Sequence, residues 1–335
     1  MEQKHRESNI ELLRIVLMAL IIIWHYMIYG QSLLSNLVEG KNINLSDLIT
    51  TPMLVFPVDC FVFISGYFGI KLRRKSLISF LILMITYSII TYCLASYFSG
   101  TFKINYFIAS FFPVSADIWW FFTLYIMLMC LSPLLNRCMD WDKQYFKKML
   151  IIYAVFLLGI IAILFGKRVA TIGDLGQFIF IYLLGRYVRK YPDTRIIKYR
   201  WILFLGCLTA NILFLTLFVR LDMPSWIMKP LSYNNPLVVA CAVFIFLIFK
   251  NLKIKYSKTI NIIGSTVFAT YLVTESNLRL MYNNLIMDIC GQNYCLYILA
   301  AFTTILLISP IELLRKKFTE PLINKLSKIS KRLIP

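Results

Sequence analysis

Histidine is the scarcest reactive side chain in this sequence, because its 335 residues contain only two, His5 and His25. The eight cysteines are scattered and lack the spacing of metal ligands, so we expect no metal site. Glycine-rich motifs of the Walker and dinucleotide-binding types are missing, which argues against P-loop and Rossmann enzymes. Long polar stretches are missing too. We therefore expect residues 1–335 to form a single integral membrane domain with no appended soluble domain.

Apolar residues are abundant: hydrophobic residues make up 59% of the chain, and the mean hydropathy is +0.73. Such values are typical of a polytopic membrane protein. Ten apolar runs predict an all-α fold with about ten transmembrane helices, and a stretch at 106–114 is too short to span and belongs at the membrane interface. The ten runs cover residues 9–30, 48–70, 77–98, 118–135, 149–165, 175–188, 201–219, 236–249, 260–281 and 294–314.

The net charge of +19 is distributed unevenly between alternate loops. If the N-terminus is cytoplasmic, the inner segments hold 27 of the 35 Lys and Arg residues and the outer segments hold seven, with Arg14 inside the first run. Because basic residues accumulate on the cytoplasmic side, this asymmetry predicts that both termini are cytoplasmic. The charge therefore needs no nucleic-acid partner, and we expect the lipid bilayer as the surroundings.

The first run, NIELLRIVLMALIIIWHYMIYG, contains two ionisable side chains, Arg14 and His25. They are eleven positions apart, which places them on nearly the same side of a helix and about 16 Å apart along it. Ionisable residues inside a membrane are costly and mark functional sites, although Arg14 alone could be a snorkelling anchor. A histidine suits general-base chemistry, since its pKa lies near neutrality. Ser8 and Glu11 have capping-box spacing and predict the start of this helix.

The second run contains another intramembrane charge, Asp59, which we expect to pair with Arg14 or His25 and to orient the imidazole ring. The small residues Ser65 and Gly66 follow it and allow a neighbouring helix to approach closely.

A basic segment, Lys71 to Lys75, directly follows the second apolar run. It is either a topology anchor or a site for a phosphorylated cytoplasmic ligand, because Arg and Lys pair with phosphate oxygens.

At the start of the fourth run, Asp117 precedes Trp119 and Trp120. Tryptophans at a helix end belong to the interfacial aromatic belt, and the alternative is that they stack on a sugar ring. Asp117 would then accept hydrogen bonds from sugar hydroxyls, or it is merely solvated. In the ninth run, Glu275 either faces a polar cavity or lies among headgroups because the helix ends early.

The Arg-x10-His spacing of Arg14 and His25, with the flanking NIELLRI and IIIWHY, resembles the signature of acyltransferase family 3, a family of bacterial integral membrane proteins. WWFFTLYIMLMCLSPLLN, at residues 119–136, resembles the block in that family's fourth helix. A further block of the family, Val-Asp followed by aromatics and Ser-Gly-Tyr, is matched by Val58, Asp59, Phe61, Phe63, Ser65, Gly66 and Tyr67.

Two departures from the family pattern stand out. The basic pair after the Ser-Gly-Tyr block is matched by Lys71 and Arg74 and not by two arginines. Near the end, the family often has Tyr-Leu-Ile-His followed by an acid. Here Thr274 stands at the histidine position before Glu275, so His25 is the sole histidine candidate.

The resemblance implies an O-acyltransferase of the bacterial cytoplasmic membrane. It would move an acetyl or similar group from cytoplasmic acetyl-CoA to a sugar hydroxyl of a capsule, O-antigen or exopolysaccharide precursor. The alternative is a polysaccharide transporter or flippase, which also needs charged residues inside the membrane and aromatic side chains on which sugars stack. We expect catalysis by His25, Arg14 and Asp59, donor binding by Arg14, Lys71, Arg73 and Arg74, and acceptor binding by Asp117, Trp119, Trp120, Ser65, Tyr67 and Glu275.

Overall fold

A computed structural model describes residues 6–159 and 172–329 of the chain, and these are helical with no β-strand. A π-helical turn, Tyr26–Gly30, continues the first helix, and a 3₁₀-helix, Asn136–Asp140, continues the seventh. The α-helices in chain order are α1 Ser8–His25, α2 Leu33–Glu39, α3 Leu45–Met53, α4 Pro57–Phe68, α5 Arg74–Ser99, α6 Ile104–Ala109, α7 Trp120–Leu135, α8 Lys143–Ala154, α9 Ile172–Lys190, α10 Thr194–Arg220, α11 Pro224–Ile227, α12 Pro236–Lys250, α13 Lys258–Gly264, α14 Val267–Thr274, α15 Arg279–Cys290 and α16 Tyr294–Ile329.

Six helical segments of the described chain are long and apolar enough to cross a membrane. The all-α, multi-pass class is therefore confirmed. The count of about ten spans and the cytoplasmic placement of both termini stay predictions, and the fifth run, 149–165, lies partly outside the described residues. The six segments are Ser8–Gly30, Leu45–Phe68, Arg74–Ser99, Trp120–Asp140, Thr194–Arg220 and Tyr294–Ile329, and α12 is apolar but shorter.

Polar side chains mark the starts of several helices. Asp142 caps α8, Asn235 caps α12 and Ser257 caps α13, each by accepting a hydrogen bond from a backbone N–H of the first turn. Asp193 caps α10, and two backbone N–H groups of that turn hold its pKa below the usual range. These caps satisfy donors that the helix itself leaves without a partner.

The first helix, α1, packs against α4, α12, α13, α14 and α16 and so lies inside the bundle. The capping box predicted for it is wrong. Ser8 is already helical, and its Oγ accepts a hydrogen bond from the Ser257 N–H at 2.9 Å. Glu11 forms ion pairs with Arg6 at 3.4 Å and with Arg14 at 3.8 Å. Ser8 therefore connects α1 to the start of α13, Glu11 pairs with arginines near it in sequence, and neither side chain caps the helix.

The helices α4 and α9 touch through their backbones. A Cβ added at Gly66 would lie 2.3 Å from the Tyr182 carbonyl oxygen, and one at Gly185 would lie 2.7 Å from the Phe63 carbonyl oxygen. Only glycine fits at either position without a shift of the backbone. The close-approach role predicted for Gly66 is confirmed, and this contact fixes α4 against α9.

A partly buried hydrogen-bond network closes the end of α4. The Ile70 N–H donates to the Tyr182 hydroxyl at 2.9 Å, and this hydroxyl donates to the Asn136 side chain at 2.7 Å. Asn136 in turn donates to the Ile70 carbonyl at 2.8 Å. The asparagine that ends the SPLLN block therefore ties α4 to α7 and α9.

The ninth apolar run, predicted as one helix over 260–281, is divided into α13, α14 and the beginning of α15. The break after α14 has a local cause. The Ser276 hydroxyl donates to the Val273 carbonyl at 2.7 Å and accepts from the Leu278 N–H at 3.1 Å. Because these bonds compete with the helical ones, the helix ends at Thr274. Glu275 follows directly and leaves the helix axis.

Candidate active site

The central contact of the site joins the end of α1 to the residue after α14. His25 Nδ1 lies 3.1 Å from Glu275 Oε1, and the two side chains are only 13% and 10% exposed. A carboxylate at Nδ1 selects the ring tautomer and leaves Nε2 for a reactant. The N–H does not yet point straight at the oxygen, and catalytic hydrogen bonds of this kind commonly align when substrate binds. Of the two alternatives for Glu275, the helix does end early, but the side chain faces the protein interior.

Two further side chains hold Glu275 from its other oxygen. Oε2 accepts a hydrogen bond from the Tyr29 hydroxyl at 3.5 Å and lies 3.6 Å from Arg279 Nη1. Arg279 also donates to the Tyr29 hydroxyl at 3.2 Å, and its guanidinium lies 4.3 Å from the centre of the Tyr29 ring. Arg279 therefore compensates the carboxylate charge in a largely buried place, which lowers the cost of keeping that charge there.

His25 lines a narrow cavity of about 40 Å³. That volume has room for a few atoms but not for a sugar ring. Met18, Ile21 and His25 contribute one wall at helical spacings of three and four, and Arg14 lies four residues before Met18 on the same face of α1. The cavity therefore extends from His25 along the helix face that carries Arg14. Its other walls are apolar and aromatic, formed by Trp24, Leu54, Val58, Phe61, Trp120, Phe121, Phe122, Tyr233, Phe268 and Tyr271.

Two of the arginines expected to bind the donor, Arg14 on this face of α1 and Arg74 at the start of α5, have an N–H group without a partner. The Nε–H groups of Arg14 and Arg74 are buried and have no hydrogen-bond partner in the described structure. Lys71 and Arg73 are exposed beside Arg74. Guanidinium groups with free donors suit phosphate oxygens, and a narrow apolar cavity suits a thin chain. The residues present therefore fit a donor that carries phosphates on a flexible arm.

The predicted pairing of Asp59 with Arg14 or His25 is wrong. Asp59 is buried, its Oδ2 accepts a hydrogen bond from Gln177 Nε2 at 3.5 Å, and its Oδ1 has no partner among the described residues. Gln177 also donates to the Tyr233 carbonyl at 2.8 Å. Asp59 therefore faces α9, and its contacts hold a cavity wall. Glu275, expected only as a substrate ligand, occupies the position beside the histidine.

The two tryptophans at the start of α7 lie in different surroundings. Trp119 is 1% exposed and does not line the His25 cavity. Trp120 does line it and stacks on Tyr233, with ring centres 5.7 Å apart and planes at 22°. Asp117 is exposed and has a left-handed backbone, with φ at 46°. Of these three acceptor candidates, the structure brings Trp120 to the cavity.

Ser65 and Tyr67 lie outside the His25 cavity. The Ser65 hydroxyl is within 3.0 Å of the Tyr125 hydroxyl, so it connects α4 to α7. Tyr67 lies near the C-terminal end of α4, where Arg189 donates to its hydroxyl at 3.3 Å and its ring packs on Phe246 at 4.7 Å. Both acceptor-binding predictions for these residues remain untested, and their contacts are with the protein.

Sequence reasoning missed Tyr29 and Arg279 as support for Glu275 and missed Tyr233 as a cavity wall. The sequence could have indicated Tyr29, since it lies four residues after His25 and so on the same side of the helix. Arg279 offered the same kind of signal, since it lies four residues after Glu275. Tyr233 lies in a turn before α12, where no periodic pattern applies. In the described ranges, no group of three or more His, Cys, Asp or Glu side chains could hold a metal ion.

The fold and the cavity define a multi-pass membrane protein with a histidine–carboxylate pair buried beside an apolar cavity. A family model described as an acyltransferase domain matches residues 7–313 of the 335. The chain belongs to acyltransferase family 3, and an acyltransferase-type function follows from that membership. Searches of curated proteins and of solved structures each gave no match.

Proposed function

We propose that this protein is an O-acyltransferase of the bacterial cytoplasmic membrane that transfers an acetyl group from acetyl-CoA to a hydroxyl of a surface polysaccharide or its lipid-linked precursor. The observation that carries the proposal is the contact between His25 Nδ1 and Glu275 Oε1 beside the apolar cavity. Acyl transfer to a hydroxyl needs a base for the hydroxyl proton, and a histidine held by a carboxylate is a suitable one.

In this mechanism, His25 Nε2 takes the proton of the sugar hydroxyl as its oxygen attacks the thioester carbonyl carbon. The new bond is C–O, the bond that breaks is C–S, and the imidazolium returns the proton to the departing CoA sulfur. Glu275 stabilises the imidazolium, and Tyr29 and Arg279 hold Glu275 in place. The apolar walls exclude water, which would otherwise compete for the acyl group.

The donor would bind with its phosphates at Arg14 and Arg74 and with Lys71 and Arg73 nearby. Its thin arm would extend along the α1 face from Arg14 to His25, about 16 Å at the rise of an α-helix. Under the predicted topology, this direction leads from the cytoplasm towards the opposite face. Trp120 and Tyr233, stacked at the cavity wall, add aromatic surface around the group that reaches His25.

The test of this function is proton NMR of the surface polysaccharide from a deletion strain with and without the wild-type gene. We expect acetyl signals to disappear on deletion and to return on complementation, with the amount of polymer unchanged. If the amount of polymer changes while acetylation per sugar stays constant, the enzyme proposal fails and a transporter or flippase takes its place.

Replacing Arg14 with alanine should raise the KM for acetyl-CoA about tenfold or more, because a charge-assisted phosphate contact contributes roughly 1.5–3 kcal/mol. The measurement is CoA release by purified protein in nanodiscs at varied acetyl-CoA. Arg195→Ala is the matched control, since Arg195 is exposed near the start of α10. If the two variants have the same KM for acetyl-CoA, Arg14 does not bind the donor.

A further inference from the structure

A second, separate cavity lies at the end of the bundle where α1 ends. It has a volume of about 680 Å³, within the range of about 300–1,000 Å³ that is usual for small-molecule sites. One wall is the segment from Gly30, the last residue of the π-helical turn, to Asp47, and the other is the junction of α15 and α16. None of the residues assigned to donor or acceptor binding above lies in it.

The lining of this cavity is polar but carries little charge. Five residues with primary amides line it, together with one serine, one tyrosine and one aspartate, and no Lys or Arg is among the described lining residues. Each primary amide offers two N–H donors and one carbonyl acceptor, which matches neighbouring hydroxyls that both donate and accept. The lack of cations argues against a phosphate-bearing ligand. The five amides are those of Gln31, Asn36, Asn42, Asn44 and Gln292.

Several lining groups are held in place from behind. Asp47 accepts a hydrogen bond from the Asn44 N–H at 2.8 Å and another from the Tyr294 hydroxyl. The Gln31 side-chain amide donates to the Tyr297 hydroxyl at 2.8 Å, and the Asn36 side-chain amide donates to the Gln31 backbone carbonyl at 3.0 Å. Fixed polar groups of this kind lower the entropy that a ligand must lose on binding.

Two of the amides remain available. The side chains of Asn42 and Gln292 are exposed and make no hydrogen bond to any residue of the described structure. They lie on opposite walls, one before α3 and the other between α15 and α16. Together they can bind one ligand from two sides without breaking a contact that the protein already makes.

The cavity is also near the reacting histidine. Gly30 ends the π-helical turn that carries Tyr29, and Gln31 directly follows it. Gly30 lies five residues after His25, about 7 Å of helix rise. A glycan bound here therefore lies within one or two sugar units of the hydroxyl that reacts at His25.

We propose that this amide-lined cavity binds a neutral, hydroxyl-rich carbohydrate, namely the part of the acceptor glycan next to the sugar that is acylated. This inference rests on the proposed function and deepens it. It divides recognition between two places: the aromatic cavity at His25 takes the reacting group, and the amide cavity selects the neighbouring sugars. It also assigns the acceptor to the end of the bundle opposite to Arg14.

The test uses the double variant Asn42→Ala/Gln292→Ala in nanodiscs. The probe is the surface polysaccharide of the parent strain, freed of O-acyl groups with dilute alkali and cut to oligosaccharides. We expect the KM for this acceptor to rise about tenfold through the loss of several hydrogen bonds, with kcat and the KM for acetyl-CoA unchanged. Gln144→Ala is the control, because Gln144 is an exposed amide in the first turn of α8.

An unchanged acceptor KM in the double variant overturns the inference, and so does an equal rise of both KM values. Binding is measured separately, by saturation-transfer NMR of the oligosaccharide on His25→Gln protein, with and without the double substitution. If wild-type protein shows no acyl transfer but the oligosaccharide binds and the double variant loses it, the proposed function fails and the carbohydrate site stands. If transfer is normal and binding is insensitive to both substitutions, the function stands and the carbohydrate site fails.

Discussion

Replacing His25 with glutamine is expected to lower kcat by about 10²–10⁴, the usual contribution of a general base. Glutamine is polar and of similar length, but it cannot take a proton from the acceptor hydroxyl near neutral pH. Because proton transfer occurs only in the transition state, kcat and kcat/KM should fall together while both KM values hold. The measurement is thiol release from acetyl-CoA by purified protein in nanodiscs with the de-O-acylated oligosaccharide.

The matched control is His5→Gln, which changes the other histidine of the chain and should leave kcat at the wild-type value. Melting temperatures of both variants show whether a loss reflects chemistry or folding. A His25→Gln protein that keeps more than about a tenth of the wild-type kcat contradicts the general-base role.

Replacing Glu275 with glutamine should also lower kcat by about 10²–10⁴. The upper end is the loss seen when the carboxylate of a Ser-His-Asp triad becomes an amide. Since the amide can present N–H groups to Nδ1, it would favour the tautomer with the proton on Nε2, which cannot accept a proton from the substrate. The imidazolium would also lose its counter-charge.

Glu39→Gln is the control for this experiment, because Glu39 is exposed and its one ion pair among the described residues is with Lys41 at the surface. Glu275→Asp adds a second comparison, since a shorter carboxylate should recover part of the rate that the amide loses. If Glu275→Gln and Glu275→Asp lose the same factor in kcat and both have a lowered melting temperature, Glu275 is a structural residue and the orienting role is refuted.

The sequence was sufficient to predict features that depend on the repeat of a single helix. Arg14 and His25 share a helix face because eleven residues make just over three turns, and the structure adds Met18 and Ile21 between them on the cavity wall. The apolar runs likewise predicted helices, because about 20 consecutive apolar residues are enough for one helix to span the bilayer.

Features that depend on which helices meet could not be predicted. His25 and Glu275 are 250 positions apart, and nothing in their spacing indicates that α14 and not α4 brings the carboxylate to the imidazole. Asp59 was the nearer intramembrane acid in sequence, yet α4 turns it towards Gln177. Hydropathy also missed the break after α14, because the Ser276 hydroxyl that ends the helix leaves the run apolar overall.

The separation of His25 and Glu275 has a consequence for biosynthesis. At a synthesis rate of about 5–20 residues per second, Glu275 leaves the ribosome roughly 12–50 s after His25. During that interval α1 resides in or beside the bilayer without the carboxylate, and a histidine can wait there as an uncharged ring, which an arginine cannot do. The reactive pair is therefore assembled among the last tertiary contacts, so a chain truncated before Glu275 would hold its base in the membrane but could not orient it.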